Sequence, residues 1–201
     1  LITSSAASDV YKRQDSIQFL PDKGYTELFT NLLDHKNINI CLSEKFSKSS
    51  LKEFTYCFNS MPIDEFYDFK YGNLPYRSIK FKHLVTQTDS SLGHVTINYS
   101  DASKHTRETW WHNIPGHHIK RKDLFIKTQE EPCDYKDNNY ERYYPVKTPD
   151  DKFGGIYNKY KNLREKKIEF IGRCGTYQYL DMHQVVNQSL LNVNRWIKDH
   201  E

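Results

Sequence analysis

Apolar residues at helical spacing mark both ends of the chain. A first stripe predicts a helix from Gly24 to His35, and a second predicts a helix from Asp181 to about Lys198. Asp181 and Gln184 have the spacing of a capping box at the start of the second helix. The first stripe comprises Leu28, Phe29, Leu32 and Leu33. The predicted inward face of the last helix comprises Met182, Val185, Val186, Leu190, Val193 and Ile197.

Between these helices the pattern changes to short β-strands. Alternation is clearest in residues 78–85, where Ile79 and Phe81 share one face and Lys80 and Lys82 the other. Polar, turn-rich segments separate the candidates, which is typical of an antiparallel sheet with one solvent-exposed face. The candidate strands cover residues 38–42, 53–58, 78–85, 94–100, 104–111, 124–130 and 168–171.

Two further helices complete the predicted architecture. A short one begins near Met61, where a proline and two acidic residues suit a first helical turn. Another follows Asp150, with apolar residues at helical spacing up to Leu163. The pattern predicts an α+β fold, an antiparallel or mixed sheet flanked by helices, that ends in a strand, a Gly-rich turn and a helix.

Composition excludes several classes of function. The 201 residues carry 29 basic and 26 acidic side chains in an interspersed order, whereas a nucleic-acid-binding protein concentrates its basic residues on one face. No apolar run approaches the ~20 residues that span a bilayer, so no membrane span is expected. The first 14 residues, LITSSAASDVYKRQ, lack the features of a signal peptide. We interpret them as a non-native, adapter-like leader and residues 15–201 as the native region.

The cysteine and histidine patterns predict neither a disulfide framework nor a metal site. The four cysteines are widely spaced, which favours reduced thiols in the cytoplasm. No Cys or His spacing fits a zinc site. His117 and His118 are adjacent, and neighbouring side chains do not share a face of a strand or helix. We therefore expect no metal.

The segment IEFIGRCGTYQYLDMHQV, residues 168–185, has the most informative local pattern. Gly172 and Gly175 permit close approach of a ligand to the backbone. The helix that follows presents free N–H groups and a partial positive charge, which stabilise an anion or an electron-rich ring. Arg173 lies in the turn, and Tyr179 precedes the helix. An ordinary strand–helix connection capped by Asp181 is the alternative.

Arginines in aromatic contexts suggest an anion-binding site. Arg77, Arg107 and Arg173 each occur at a predicted strand edge, and together with Tyr143 and Tyr144 they could hold a diphosphate. Solvent-exposed strand arginines are the alternative. The consecutive glutamates 130 and 131 could support acid–base chemistry or be exposed on opposite faces. Of Trp110 and Trp111, at least one is expected in the core.

Several segments together resemble the UDP-galactopyranose mutase family. The resemblance covers about residue 19 to the C-terminus, and it implies that the last strand, turn and helix belong to an FAD-binding domain. It also places residues 15–201 in the C-terminal half of such enzymes, without the dinucleotide-binding fingerprint. The similar segments are DKGYTELFTNLL (22–33), MPIDEFYDFKYGNLPYRSIKF (61–81), VTINYSDASKHTR (95–107), RYYPVKTPDDKFGGIYNKYKNL (142–163) and GRCGTYQYLDMHQV (172–185).

The resemblance implies an isomerase that interconverts UDP-galactopyranose and UDP-galactofuranose. In this family reduced FAD attacks the anomeric carbon through its N5, UDP leaves, and the flavin–sugar adduct opens and recloses as the other ring. The cofactor supplies the chemistry and the protein supplies orientation and electrostatics. The resemblance implies UDP-galactose as the substrate. It also implies a role in cell-wall or polysaccharide biosynthesis, and a homodimer is one expected oligomeric state. A fragment without the other half should be inactive.

The resemblance also implies roles for individual residues. Arg77 and Glu130 match residues that act beside the sugar and are the predicted catalytic pair. The predicted substrate-binding residues, for diphosphate and sugar, are Arg107, Tyr144, Tyr179 and Asn98. The predicted flavin-contacting residues are Gly172, Arg173, Tyr179, Asp181 and Met182.

Departures from the family pattern leave alternatives open. Lys104 and His105 replace a Pro-Tyr pair before Thr106-Arg107, Glu131 replaces an aromatic residue, and Arg142 replaces a proline. Because these changes concern the sugar side, a related flavin-dependent mutase acting on another hexose is one alternative. A non-catalytic UDP-sugar-binding remnant is another, although relaxed function would have let the matching polar residues drift.

Overall fold

A computed structural model describes residues 20–116, 123–163 and 165–201, and the chain divides into two units, residues 1–44 and 45–201. The predicted leader and the pair His117–His118 lie outside the described residues. In the first unit, helix α1 (Gly24–Leu33) confirms the predicted helix. The strand predicted over residues 38–42 is wrong, since this segment is irregular. Strand propensity alone does not form a strand without a partner to pair with.

The second unit contains the remaining elements. The strands are β1 (Cys57–Asn59), β2 (Tyr76–Thr86), β3 (Thr96–Asn98), β4 (Arg107–Trp110), β5 (Phe125–Asp134), β6 (Tyr144–Pro145) and β7 (Ile168–Phe170). The helices are α2 (Ile63–Phe66), α3 (Lys152–Lys161), α4 (Gly172–Thr176) and α5 (Met182–His200). Short 3-10 turns cover Lys48–Glu53, Trp111–Asn113 and Tyr135–Asp137. The predicted α+β class is confirmed.

Five strands form an antiparallel sheet in the order β3-β4-β5-β2-β6. The strand predicted over residues 78–85 is confirmed within β2, which pairs with β5 over ten positions, from Arg77 opposite Asp134 to Thr86 opposite Phe125. The expected single solvent-exposed face is wrong for this strand, because side chains on both faces are exposed from Lys80 to Val85. The Glu130 carbonyl accepts from the Thr106 N–H and therefore points toward the β4 side of β5. Pro132, two residues later, has its backbone nitrogen on that same side. Its missing N–H therefore removes no hydrogen bond between β5 and β2, and the proline is tolerated. Pairing between β4 and β5 reaches no further than Glu130.

A second, smaller sheet joins β1 and β7 in parallel, with Asn59 opposite Phe170. Helix α4 follows β7 directly and packs closely on β1. A Cβ added at Gly175 would lie 2.9 Å from the Asn59 carbonyl oxygen, so this glycine is required by packing between protein segments. The sequence had suggested ligand approach as the reason for Gly175. The predicted Gly-rich turn is thus a short helix.

The core of this unit is rich in tyrosines whose hydroxyls bond to backbone groups. Tyr160 is fully buried, accepts the Tyr71 N–H at 2.8 Å and donates to the Gly72 carbonyl at 2.7 Å. Tyr177 donates to the Val146 carbonyl at 2.7 Å. Trp110 is also fully buried, as expected for at least one of the two tryptophans. Through these hydrogen bonds the tyrosine hydroxyls connect α3 and the end of α4 to the loops around β2 and β6, and they satisfy backbone groups of those loops.

Helix α5 begins with the predicted capping box, since both the Asp181 and the Gln184 side-chain bonds are present. Its predicted inward face is wrong in part: Val185 and Val193 are half-buried, but four other apolar residues of that face are exposed. The described residues contact this helix through other positions, such as Gln188 with Gly172 and Trp196 with Tyr56. The exposed four are Met182, Val186, Leu190 and Ile197. None of the described helices is long and apolar enough to cross a membrane.

Candidate functional site

Three predicted site residues meet on one face of the five-stranded sheet. Asn98, Arg107 and Glu130 are register partners on β3, β4 and β5, and directly opposed residues of antiparallel strands project to the same face. Arg107 Nε donates to Asn98 Oδ1 at 2.9 Å, and Arg107 Nη1 lies 3.8 Å from Glu130 Oε2. About half of the Arg107 side chain is exposed, so its guanidinium can still reach a ligand.

Arg77 and Tyr144 lie on this same face. Arg77 pairs with Tyr144 on β6, and the Tyr143 N–H donates to the Arg77 carbonyl at 3.0 Å. Phe81, opposite Glu130, shares the face with Arg77 because the two are four positions apart on β2. The Phe81 ring contacts Tyr143 at 6.3 Å between centroids. A continuous surface therefore runs from Arg107 to Tyr144.

The two tyrosines of this surface also contact the segment that precedes α5. Arg173 Nη1 donates to the Tyr143 carbonyl at 3.1 Å, and the Arg173 guanidinium lies 4.5 Å from the centre of the Tyr179 ring. The Tyr179 and Tyr144 rings are 6.1 Å apart. Residues far apart in sequence thus converge beside the amino end of the last helix.

The start of α5 has features that suit an electron-rich ring. The helix is 19 residues long, so its first turn carries the positive end of a macrodipole. Met182 at the first helical position is exposed, and Arg173 adds a positive charge nearby, since its Nε donates to the Leu180 carbonyl. The dipole and Arg173 would suit a flavin ring whose reduced form carries negative charge, and the Asp181 carboxylate of the capping box lies at the same helix end and opposes them. Contacts of Asp181 and Met182 with a flavin stay a prediction.

The backbone conformation and a hydrogen bond within the protein explain Gly172 without a ligand. Its φ of +72° is in the left-handed region, where glycine is favoured, so the residue type is explained by the backbone. Its N–H donates to Gln188 Oε1 at 2.7 Å. A ligand would have to displace Gln188 to use this donor, and the predicted cofactor contact of Gly172 is not supported by a free N–H.

A buried carboxylate supports β4 from the opposite face of the sheet. Glu108 accepts from Lys127 and Gln129 at 2.7 Å each and from Tyr99 at 3.1 Å. Burial raises the pKa of Glu108, but the hydrogen bonds from Gln129, Lys127 and Tyr99 outweigh it and leave the pKa below its ordinary value. Since Glu108 is adjacent to Arg107, this network fixes the strand position from which Arg107 projects.

The sequence pattern does not indicate that Phe81 contacts the site. It also does not indicate a role for Glu108. Phe81 was placed on a strand face, but which strand lies opposite depends on pairing over about fifty residues. Glu108 reads in sequence as one acid among many, although its position at i+1 from Arg107 on a strand puts it on the other face. Within the described ranges, no three His, Cys, Asp or Glu side chains are grouped to hold a metal ion. The four cysteines are free, as their spacing predicted.

Comparison with known proteins adds an independent line of evidence. A family model described as UDP-galactopyranose mutase matches residues 3–179. The chain is 33% identical over 199 residues to the dTDP-fucopyranose mutase of Escherichia coli, covering 92% of this chain and 50% of that protein. It is 28% identical over 188 residues to a probable UDP-galactopyranose mutase of Klebsiella pneumoniae, covering 90% and 46%. The chain spans about half the length of the curated relatives it matches.

Proposed function

Because the chain belongs to the UDP-galactopyranose mutase family, we propose that it supplies the diphosphate- and sugar-binding surface of a flavin-dependent isomerase. The reaction we assign is the interconversion of UDP-galactopyranose and UDP-galactofuranose. We expect the activity to require more than this chain, because the chain spans about half the length of these relatives. The substrate is a small nucleotide sugar.

One observation carries this proposal: Arg107, Arg77 and Tyr144 share a single sheet face, and this face continues to Tyr179 and Arg173. Arg107 on β4 and the tyrosines Tyr144 and Tyr179 beyond Arg77 offer charged and hydroxyl donors along this face to an anion with several oxygens. A diphosphate bonded to a sugar matches this arrangement.

The roles of the chain's own residues follow from the charge that the reaction develops. When the bond between the sugar and the diphosphate breaks, negative charge accumulates on the leaving oxygens, and Arg107 with Tyr144 and Tyr179 stabilises it. The anomeric carbon becomes electron-poor, and the Glu130 carboxylate lies on the same face to stabilise that centre. Arg77 orients the sugar. Asn98 holds the Arg107 guanidinium through its Nε.

FAD is the cofactor that we propose. When bound and reduced, it supplies the nucleophile for the anomeric carbon. Arg173, Tyr179, Asp181 and Met182 would hold its ring at the start of α5, where the helix dipole favours the anionic form of the ring. No step is assigned to Gly172, whose N–H is bonded to Gln188.

A dTDP-6-deoxyhexose is the second candidate substrate, and a specific observation favours it. The chain is 33% identical to a protein named dTDP-fucopyranose mutase and 28% identical to one named probable UDP-galactopyranose mutase. The departures from the family pattern at Lys104 and His105 lie on the connection into β4, where His105 contacts Glu108 and the Tyr99 ring on the face opposite the proposed surface. The same diphosphate contacts would serve both substrates.

The test is a substrate comparison with the full-length protein. Purified protein would be reduced with dithionite and supplied with UDP-galactofuranose or with dTDP-fucofuranose, and products would be separated chromatographically. A yellow protein that converts the first substrate supports the proposed reaction. Conversion of only the second would assign the enzyme to the other hexose. Binding of UDP without conversion of either would indicate a non-catalytic sugar-nucleotide-binding protein.

A further inference from the structure

Arg142 has an environment that its position in a loop does not predict. Only 12% of its side chain is exposed, and its guanidinium lies 5.6 Å from the Tyr76 ring centre and 5.3 Å from that of Tyr135. Its Nη1 donates to Glu65 Oε2 at 3.0 Å, which bonds the loop to helix α2. A charge with an ionic partner and two aromatic contacts is held in one place.

The two residues after Arg142 are those that join the two halves of the proposed site. The Tyr143 N–H donates to Arg77, and the Tyr143 carbonyl accepts from Arg173. Tyr144 pairs with Arg77 and contacts the Tyr179 ring. Strand β6 has only two residues and lies at the sheet edge, where short pairings open most easily. After Tyr144 the chain is held at Val146, whose N–H donates to the Pro75 carbonyl and whose carbonyl accepts from Tyr177, and before it the restraint comes from Arg142.

We propose that Arg142 is a positioning residue for the diphosphate site. Its contacts with Glu65, Tyr76 and Tyr135 hold the segment Tyr143–Tyr144 in place before a ligand arrives. Tyr76 also donates to the Cys174 carbonyl at 3.3 Å, so the ring beneath Arg142 contacts helix α4 next to Arg173. The identity of the ligand rests on the proposed function, but the positioning itself does not.

Arg142 provides this restraint through its side chain and not through the backbone. The consequence is that the restraint depends on the acid 77 positions earlier in the chain, Glu65.

The test uses the full-length protein and two variants. Arg142→Met removes the guanidinium and leaves Glu65 with Lys45, at 3.0 Å, as its ionic partner. Glu65→Gln combined with Arg142→Met also removes the carboxylate. Arg195→Met is the matched control, since Arg195 forms a 3.1 Å ion pair with Glu169 and lies outside the proposed site. Amide hydrogen exchange of residues 140–147, the dissociation constant of UDP and the free energy of unfolding would be measured for each.

We expect the Tyr143 amide to exchange at least about tenfold faster in both Arg142 variants, because the edge pairing then opens locally. The dissociation constant of UDP should rise by about tenfold, even where the double variant recovers the stability of the wild type. Unchanged exchange at Tyr143 in both variants would overturn the inference. The inference would also be overturned if the double variant recovered the exchange rate at Tyr143 and the UDP affinity along with its stability. Arg142 would then be only a stabilising residue. Absence of UDP binding by the wild type would count against the proposed function, and exchange would still decide on Arg142.

Discussion

Arg107 lies directly opposite Glu130 in the β4–β5 pairing, and Asn98 holds the same guanidinium from the other side. The Arg107–Glu130 separation of 3.8 Å is long for a hydrogen-bonded ion pair. The charge of Arg107 is therefore only partly compensated within the protein. An arginine that is oriented but incompletely neutralised suits the binding of a further anion.

Arg107→Ala should weaken UDP binding by about 1–3 kcal/mol, as expected for the loss of a charge-assisted hydrogen bond. Isothermal titration calorimetry of the full-length protein measures this change. Arg195→Ala removes an exposed arginine of α5 and should leave the affinity within about twofold. Wild-type affinity in Arg107→Ala would remove this residue from the proposed diphosphate site.

Gly175→Ala should destabilise the fold by about 1–3 kcal/mol, the usual cost of overpacking. The added methyl group would lie 2.9 Å from the Asn59 carbonyl oxygen, which belongs to backbone and cannot move easily. Urea unfolding measures the effect. Gly155→Ala in α3 is the control, because nothing lies within 4 Å of its added Cβ, and it should stabilise by about 0.5–1 kcal/mol through helix propensity. Equal effects of the two substitutions would contradict the packing role of Gly175.

Tyr160→Phe should lower the free energy of unfolding by about 1–3 kcal/mol, because the Tyr71 N–H and the Gly72 carbonyl lose their shared partner. Tyr140 is 63% exposed, so Tyr140→Phe should change stability by less than about 0.5 kcal/mol. Chemical denaturation of both variants compares a buried with an exposed hydroxyl. A loss in Tyr160→Phe as small as in Tyr140→Phe would show that water replaces the missing hydroxyl.

Glu108→Gln should change how stability depends on pH. The pKa of Glu108 is lower in the folded protein than in the unfolded chain, because the bonds from Gln129, Lys127 and Tyr99 outweigh its burial. Its contribution is therefore complete above the unfolded value of about 4.3 and is lost as pH falls through the lower folded value. The wild type should exceed the variant by about 2 kcal/mol at neutral pH. Urea unfolding between neutral pH and the acid range should show this difference shrinking, and a difference independent of pH would disprove the assignment.

Local patterns in the sequence predicted individual helices and strands more successfully than they predicted which strands pair and which helix faces are covered. The capping box at Asp181 and the strand character of β2 depend on neighbours within a few residues, and both are confirmed. The parallel pairing of β1 with β7 joins Cys57 with Ile168, and no periodicity indicates it. The exposed apolar side of α5 shows the same limit, since periodicity identifies a stripe but not what covers it.

The candidate site shows a similar division. The residue types and their order pointed to Arg77, Arg107 and Tyr144, and strand register then explains how they come to share a face. Glycine roles were less predictable, because Gly172 and Gly175 look alike in sequence. One is required by a positive φ and the other by a close backbone approach. Only three-dimensional contacts separate those two reasons.

The strict two-residue alternation of β4 and β5 limits which changes of chain length the protein can accept. Insertion or deletion of one residue between Arg107 and Trp110, or between Phe125 and Glu130, would turn every following side chain to the opposite face. Natural relatives should consequently differ in length in the connection between Trp110 and Phe125 and keep a constant count inside both strands. An alignment of relatives would show where insertions and deletions occur, and no assay is needed. Constant strand lengths would indicate selection on the face to which Arg107 and Glu130 point, separately from selection on the residue types at those positions.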